Sequence, residues 1–279
     1  MHKSVQDILD MKKRGEKISV ITGYDYTLAS LCDKAGIDII LVGDSAGMVM
    51  LGYDNTIPVT IEQMCLFTEA VSRARQNSLL VADLPFMSYQ VNIDEAIRNS
   101  GRLIKAGADA VKLEGGAVMA ETIRSIVDIG IPVMGHIGLQ PQTTMLSQGY
   151  RVQGKTKDTA MKLIQDTKEL EEAGVFGIVL EMVSKEVAEI ISETVAIPTI
   201  GIGSGGGCNG QVLVVQDLLG MYNKIKPKFV KRYMNLSEEI TKSVQTYKND
   251  VQSGIFPSPE NWFSMERDEI EKLRREIGS

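Results

Sequence analysis

The sequence predicts an α/β fold of the (β/α)8, or TIM-barrel, class, as a single domain over residues 1–279 with additional C-terminal helices. The first observation is that short apolar segments alternate with helical patterns, which is typical of a parallel sheet covered by helices. The second is a layout shared by three segments: KAGIDIILVGDS at 34–45, KAGADAVKLEGG at 105–116 and EAGVFGIVLEMV at 172–183. A chain of 279 residues with 43% apolar content is long enough for one such barrel.

Each shared segment predicts the end of a helix followed by a strand. The Ala-Gly pair closes the helix, because glycine adopts the left-handed conformation without a Cβ clash. A β-rich apolar run follows, and an acid lies seven or eight residues after the glycine. The runs are continuously apolar, which indicates a sheet covered on both faces. The further predicted strands are 18–25, 78–85, 132–139, 198–205 and 211–215.

Capping signals delimit the predicted helices, since capping side chains satisfy otherwise unpaired N–H groups. Ser4 opens the first helix and Gly15 closes it, and the predicted capping boxes are Thr60 with Gln63 and Asn92 with Glu95. Further helices are predicted at 93–105, 117–128, 158–172 and 185–193. The tail from about 235 to 279 is predicted to be helical and more polar, broken by the two prolines of FPSPENWF at 256–263. The alternative fold is a doubly wound sheet, which is disfavoured because the strand-end acids are spread over many consecutive strands.

Composition excludes several classes of function. The net charge of −6 and the absence of a basic stripe argue against a nucleic-acid partner. We find neither an apolar signal-peptide core nor a run long enough to cross a bilayer, so we expect a soluble cytoplasmic protein without a membrane partner. The three cysteines form no CxxC pair, which predicts reduced thiols, and two histidines are too few for a His-rich zinc site.

Lys112 and Glu114 interrupt an apolar strand and point to the same side of it, because strand side chains alternate. Burying either charge without a partner costs several kcal/mol, on the order of the desolvation of an unpaired ion. Active sites of TIM barrels lie at the carboxyl ends of the strands. We therefore predict that the other strand-end acids, Asp44, Asp83 and Glu181, converge there with them.

Crowded carboxylates repel one another and raise each other's pKa, and a divalent cation relieves that repulsion. Oxygen ligands without a His or Cys cluster indicate Mg²⁺. The alternative interpretation is a structural ion-pair network. His136, at the end of a predicted strand, is a candidate substrate contact or a structural histidine. The glycine cluster GIGSGGGCNG at 201–210 is either an anion cradle or a loop between two strands.

Successive blocks of the sequence resemble the ketopantoate hydroxymethyltransferase family from about residue 4 to 257. The order and number of the blocks carry the resemblance: TGYDYTLASL, LVGDSAGMVMLGYDNTIPVT, ADLPFM, VKLEGG, GHIGLQPQ, GYRVQGKT, LEMV, IPTIGIGSGGGCNGQVLVVQDLLG and PKFVKRY. The resemblance implies a (β/α)8 barrel, Mg²⁺, and a homodecamer. It also implies transfer of a hydroxymethyl group from 5,10-methylenetetrahydrofolate to the keto acid 3-methyl-2-oxobutanoate, giving 2-dehydropantoate for pantothenate and coenzyme A biosynthesis.

The resemblance also implies roles for individual residues. The metal-associated acids fall on Asp44, Asp83 and Glu114, and the proton acceptor falls on Glu181. The substrate contacts fall on Asp44, Ser45, Asp83 and Lys112. Asn209 departs from the family pattern, where aspartate is the more frequent residue, so no acidic role is expected at that position.

Two alternative functions remain at this point. One is a Mg²⁺-dependent enzyme of the phosphoenolpyruvate mutase and isocitrate lyase kind, although the Lys-x-Cys-Gly-His loop of those lyases is absent from the sequence. The other is a non-catalytic barrel that binds a small keto acid. The presence of both Glu181 and Lys112 disfavours that second alternative.

Overall fold

The computed structural model describes residues 2–144, 151–224 and 227–278. Eight parallel strands follow one another around a closed barrel, and β8 pairs with β1. This closure confirms the predicted (β/α)8 barrel and shows that the doubly wound alternative is wrong. The strands are β1 Ile18–Thr22, β2 Ile39–Val42, β3 Leu79–Asp83, β4 Ala110–Glu114, β5 Val133–Gly138, β6 Gly177–Glu181, β7 Thr199–Ile202 and β8 Gly210–Leu213.

The helices confirm most of the predicted bounds. The segments predicted at 93–105, 158–172 and 185–193 are helical to within one residue at each end, and 117–128 begins as a 3₁₀ turn. The helices of the barrel region are α1 Val5–Lys13, α2 Tyr26–Lys34, α3 Ala46–Val49, α4 Ile61–Ala74, α5 Ile93–Lys105, α6 Ala120–Asp128, α7 Pro141–Thr144, α8 Lys157–Glu172, α9 Lys185–Thr194 and α10 Val215–Leu218.

The predicted caps account for several helix starts. The hydroxyl of Ser4 accepts a hydrogen bond at the first turn of α1. Thr60 and Gln63 form the reciprocal capping box at the start of α4. At α5, Asn92 Oδ1 accepts from Glu95 N at 2.8 Å, which is one half of the predicted box. These contacts satisfy N–H groups that the helices themselves leave unpaired.

The predicted strict alternation of strands and helices is wrong between β7 and β8. Residues 203–209 connect these parallel strands without a helix. The loop passes close to α9: a Cβ on Gly205 would lie 2.6 Å from Lys185 Cβ, and one on Gly207 would lie 2.9 Å from Glu189 Cβ. Glycine is required for this close approach. The packing favours the interpretation of the glycine cluster as a connecting loop.

Asn209 joins the end of this loop to β7. Its Oδ1 accepts hydrogen bonds from Thr199 N at 3.0 Å and from Thr199 Oγ1 at 3.1 Å. Its main-chain carbonyl accepts from Ile18 N as the chain enters β8 beside β1. The side chain therefore serves as a structural hydrogen-bond acceptor, a role for which an amide oxygen suffices.

The core has two layers. Apolar residues on the inner side of the strands fill the barrel, and Ile8 and Met11 of α1 join them from outside the strands. A second layer lies between the strands and the surrounding helices. Lys12, also on α1, donates to the carbonyls of Ser192, Val195 and Ile197 at 2.7–3.2 Å, at the carboxyl end of α9. These contacts fix α1 against the β6–β7 connection.

Residues 234–279 form a second compact unit. It contains α11, Leu236–Ser253, a 3₁₀ turn, Pro259–Asn261, and α12, Arg267–Glu276. Gly254, with φ of +72°, ends α11, and the rings of Tyr247 and Phe256 meet edge to face. The predicted helical tail with a proline-containing break is confirmed, whereas the single-domain assignment stays a prediction. Among the residues that the structure describes, no helix has the length and apolarity to cross a membrane.

Asp33 ties α2 to the segment that precedes β3. Its buried carboxylate accepts main-chain hydrogen bonds from Gln76, Asn77 and Ser78 at 2.8–3.0 Å. Burial raises the pKa of Asp33, but these hydrogen bonds outweigh it and hold the pKa at about 2. A carboxylate bound in this way stabilises the folded state wherever it is ionised.

We expect Asp33→Asn to lower the free energy of unfolding at pH 7 by about 2–3 kcal/mol, since an ordinary Asp titrates near 3.9 and one pKa unit is worth roughly 1.4 kcal/mol. The folded pKa lies below the unfolded one, so this stabilisation is complete above about pH 4 and is lost as the pH falls towards 2. Urea unfolding at pH 7 and pH 3 measures it, with Asp54→Asn, at an exposed position, as the control. A difference that stays constant with pH would contradict the assignment.

Candidate active site

The strand register gathers the charged residues at the carboxyl ends of the strands. Asp83 of β3 pairs with Lys112 of β4, and Glu114 of β4 pairs with His136 of β5. A cavity of about 1650 Å³ contains all of the sequence-predicted site residues in its wall. These residues are Asp44, Ser45, Asp83, Lys112, Glu114, His136 and Glu181. The predicted convergence is therefore present.

A buried ion pair explains the lysine within β4. Lys112 Nζ lies 2.7 Å from Asp83 Oδ1, and both residues are 4% exposed. Among the described residues, Asp83 Oδ1 receives no hydrogen bond of normal geometry, so the contact with the ammonium is one of charge. Burial lowers the pKa of Lys112, but Asp83, Glu114 and Asp44 outweigh it and raise the pKa above its ordinary value. Lys112 is therefore charged at neutral pH.

The pKa of Asp44 reflects its burial beside other carboxylates. Its main-chain N donates to Asp83 Oδ2 at 3.2 Å, which brings the two acids side by side. Burial, and then the charges of Asp83 and Glu114, raise the pKa of Asp44 well above its usual range, while Lys112 acts in the opposite direction. The cluster holds more negative charge than one lysine balances, as the sequence predicts.

His136 lies between two carboxylates. Its Nδ1 is 3.5 Å from Glu114 Oε1 and its Nε2 is 3.2 Å from Glu181 Oε2. Both are charge contacts, since neither nitrogen has a hydrogen bond of normal geometry among the described residues. Burial and Lys112 lower the pKa of His136, but Glu114 and Glu181 outweigh them and raise it to about 9. The imidazole thus links the end of β4 to the end of β6.

Glu181 faces the cavity at the end of β6. The preceding Leu180 packs into the outer core layer, and the following Met182 adopts the left-handed conformation with φ of +48°. A left-handed conformation is uncommon for a residue other than glycine, and such positions concentrate at functional sites. The carboxylate therefore faces the ring of His136 rather than apolar neighbours in the sequence.

Three uncharged residues of the site, Tyr24, Tyr89 and Gln142, were not predicted from the sequence. Tyr24 and Ser45 are hydrogen-bonded through their hydroxyl groups at 2.8 Å, which orients the predicted Ser45. Gln142 Nε2 donates to Asp44 Oδ2 at 2.9 Å, and Tyr89 Oη donates to Gln142 Oε1 at 2.8 Å. Tyr24 and Gln142 lie within the blocks TGYDYTLASL and GHIGLQPQ, and Tyr89 lies outside the quoted blocks. Sequence reasoning passed over all three, because an amide or phenol does not stand out in an apolar segment as a charge does.

The donor chemistry fits a hard divalent cation. The cluster offers carboxylate oxygens, one of them Asp83 Oδ1, and an excess of negative charge. Within residues 2–144, 151–224 and 227–278, no three His, Cys, Asp or Glu side chains are spaced to ligate one ion together. Magnesium requires few protein ligands, because it usually keeps waters and binds one or two carboxylates plus substrate. The three-carboxylate metal site stays a prediction.

Comparison with known proteins decides the family. Residues 2–259 match the family model described as ketopantoate hydroxymethyltransferase. The chain belongs to the ketopantoate hydroxymethyltransferase family. It is 79% identical to the 3-methyl-2-oxobutanoate hydroxymethyltransferase of Nitrosopumilus maritimus (strain SCM1), with full coverage of both chains. It is 53% identical to the enzyme of that name from Clostridium botulinum (strain 657 / Type Ba4), covering 98% of this chain and 100% of the relative.

Solved structures of other enzymes share the fold. The phosphoenolpyruvate phosphomutase of Streptomyces platensis subsp. rosaceus superimposes with a TM-score of 0.62 at 13% identity, covering 99% of this chain and 100% of that one. A 2,3-dimethylmalate lyase gives a TM-score of 0.58 at 14% identity, with the same coverage. At such identities the likeness shows the barrel alone. Membership of the ketopantoate hydroxymethyltransferase family makes the chain an enzyme, a transferase, and the non-catalytic alternative is wrong.

We expect His136 to be an imidazolium at pH 7 in protein treated with EDTA. Ring-nitrogen NMR of histidine-labelled protein measures this, because the chain has only two histidines, His2 and His136. One ring should titrate near pH 9, where Glu114 and Glu181 hold it. Glu181→Gln should lower that pKa by removing one of the two charges, and the exposed Glu186→Gln serves as control. A neutral His136 at pH 7 would refute the arrangement.

Proposed function

We propose that the chain transfers a hydroxymethyl group from 5,10-methylenetetrahydrofolate to 3-methyl-2-oxobutanoate, giving 2-dehydropantoate in the biosynthesis of pantothenate and coenzyme A. The observation that carries the proposal is the buried pair of Lys112 and Asp83 beside Asp44, in a family whose members bear this activity in their names. A cluster of this kind suits a keto acid, whose carboxylate and keto oxygens need positive charge and whose α-proton needs a base.

The residues that would hold Mg²⁺ are Asp44, Asp83 and Glu114, the three acids of the cluster around Lys112. When bound, the ion supplies positive charge that stabilises an enolate oxygen as it forms. The same charge relieves the repulsion that raises the pKa of Asp44. Without the ion, the substrate site would carry uncompensated negative charge.

Lys112 and Ser45 bind the keto acid. The ammonium of Lys112 is buried and charged, so it attracts the substrate carboxylate or keto oxygen in surroundings of low dielectric. Ser45 donates its hydroxyl proton to the substrate carboxylate, and Tyr24 at 2.8 Å orients that hydroxyl. Asp44 and Asp83 would contact the same substrate through a bound cation. His136 contacts the two glutamates and thus contributes to the substrate pocket mainly by orienting them.

Glu181 takes the proton from C3 of 3-methyl-2-oxobutanoate. Its carboxylate lines the cavity and is oriented by the contact of Oε2 with His136 Nε2 at 3.2 Å, which leaves a carboxylate oxygen available as proton acceptor. The C3–H electron pair becomes the enolate. Water adds to the iminium that forms when the folate ring opens, the C–N bond of the resulting N-hydroxymethyl group breaks to release tetrahydrofolate and formaldehyde, and C3 of the enolate attacks the formaldehyde carbon, whose oxygen takes up a proton and becomes the hydroxyl. Each of these steps needs one acid or base at the mouth of the barrel.

The cavity accommodates two substrates. Its volume of about 1650 Å³ exceeds the roughly 300–1,000 Å³ of ordinary ligand pockets. The keto acid binds in the part of the cavity lined by the charged cluster around Lys112. The folate binds in the apolar part of the cavity near Met182 and Phe229. We also propose that the enzyme acts in the cytoplasm, in keeping with its three free cysteines, and that it assembles as a homodecamer, as the family resemblance implies.

We expect Glu181→Gln to abolish exchange of the C3 hydrogen of 3-methyl-2-oxobutanoate with solvent deuterium, because the amide is no longer a base. Substrate affinity should change less than threefold, since Lys112 and Ser45 remain. Proton NMR in D₂O follows the exchange without folate, and calorimetry measures the affinity. Glu186→Gln, an exposed position on α9, is the matched control. Exchange at the wild-type rate would remove Glu181 as the base.

Removal of divalent metal should stop turnover. We expect EDTA followed by desalting to abolish formation of 2-dehydropantoate, and added Mg²⁺ to restore it, because the carboxylate cluster otherwise repels the developing enolate. The assay measures product by chromatography at several concentrations of Mg²⁺. Full activity in protein shown to be free of metal by elemental analysis would rule out this part of the proposal.

A further inference from the structure

Gln142 connects four strand ends of the barrel. Its side chain is 1% exposed and lies in α7, directly after β5. Nε2 donates to Asp44 Oδ2, after β2, and to the carbonyl of Leu84, after β3, at 2.9 and 3.0 Å. The main-chain N of Gln142 donates to Glu114 Oε2, at the end of β4, at 3.1 Å. One residue therefore binds two of the three acids assigned to the metal.

The surroundings of Gln142 fix the orientation of its amide. The carbonyl of Leu84 is only an acceptor, so the amide end that faces it must be the NH₂ group. The other end accepts from Tyr89 Oη at 2.8 Å and from Gln90 Nε2 at 3.3 Å, and the main-chain carbonyl of Glu114, 3.0 Å from Tyr89 Oη, is a second acceptor for the same hydroxyl proton. Tyr89 is itself held, because its hydroxyl accepts a hydrogen bond from Glu114 N at 3.1 Å. The amide thus presents donors, and never its oxygen, to Asp44.

A neutral donor has a particular advantage at this position. Asp44 and Glu114 repel each other, and each is free to turn away from the other unless something holds it. A second lysine would hold them by neutralising them, and this would remove the charge that a cation and its substrate use. The side-chain amide of Gln142 holds Asp44 and its main-chain N–H holds Glu114, and neither hydrogen bond removes the charge of its carboxylate.

We propose that Gln142 is a positioning residue that holds the Asp44 and Glu114 carboxylates in one arrangement for Mg²⁺ and substrate, and that Tyr89 sets the orientation of its amide. The inference rests on the proposed function and extends it to two residues outside the charged cluster. Gln142 acts through the two acids and not on the reacting atoms. Its removal therefore changes metal binding and the rate of proton abstraction more than it changes the fold.

The test compares Gln142→Met, which keeps the side-chain length and removes the amide, with Tyr89→Phe. We expect Gln142→Met to weaken Mg²⁺ binding by about 10- to 100-fold, the usual effect of losing a partner of a metal ligand. Tyr89→Phe should weaken it less, because the amide retains Leu84 and Asp44. Calorimetry with Mg²⁺ alone measures the dissociation constant. Gln165→Met is the matched control, since Gln165 donates to Glu169 at 3.0 Å on an exposed helix face.

A second readout separates positioning from a purely structural role. C3 hydrogen exchange at saturating keto acid and Mg²⁺ should fall at least tenfold in Gln142→Met, with KM for the keto acid changed less than kcat. The melting temperature of the metal-free variant shows that it is folded. A variant that matches wild type in both Mg²⁺ affinity and exchange overturns the inference alone. A wild-type protein that neither binds Mg²⁺ nor catalyses exchange overturns the proposed function, and the inference with it.

Discussion

The site depends on an imbalance of charge inside the mouth of the barrel. Two buried cations, Lys112 and the imidazolium of His136, lie among four carboxylates; Lys112 pairs with Asp83, while Asp44 and Glu114 share the same space. The register of β3 and β4 places Asp83 beside Lys112, and the register of β4 and β5 places Glu114 beside His136. A closed parallel barrel brings these positions together with little freedom, because each strand is hydrogen-bonded on both sides. The remaining negative charge is what the proposed cation would neutralise.

The sequence predicts the strands and the charged residues well, for separate reasons. Each strand is a short apolar run, often preceded by an Ala-Gly helix end, and the barrel leaves few alternatives for such a pattern. Lys112 and Glu114 stand out because a charge inside an apolar strand requires compensation. Gln142, Tyr89 and Tyr24 carry no charge, so nothing in their local sequence distinguishes them from residues of the core. Among the described residues, the predicted alternation of strands and helices is wrong only at 203–209. There the connection is glycine-rich and packs directly on α9.

The fold by itself would not have identified the chemistry. Two solved structures that superimpose over nearly the whole chain, a mutase and a lyase, are 13–14% identical to it. The same barrel supports different reactions, since the strands fix where side chains emerge and the residues there decide what they do. In this chain the residues that we propose to decide the chemistry are the acids around Lys112 and the contacts from Glu114 through His136 to Glu181.

The contact of Lys12 with the carbonyls of Ser192, Val195 and Ile197 has a consequence for the order of folding. A helix made first during synthesis reaches its final partners only after some 180 further residues have been joined, as the sequence separations of 180–185 show. Successive strand–helix pairs can assemble earlier, since their contacts are local, but α1 cannot take its final place before the sixth crossover exists. The first helix of the barrel is therefore among the later elements to reach its final contacts.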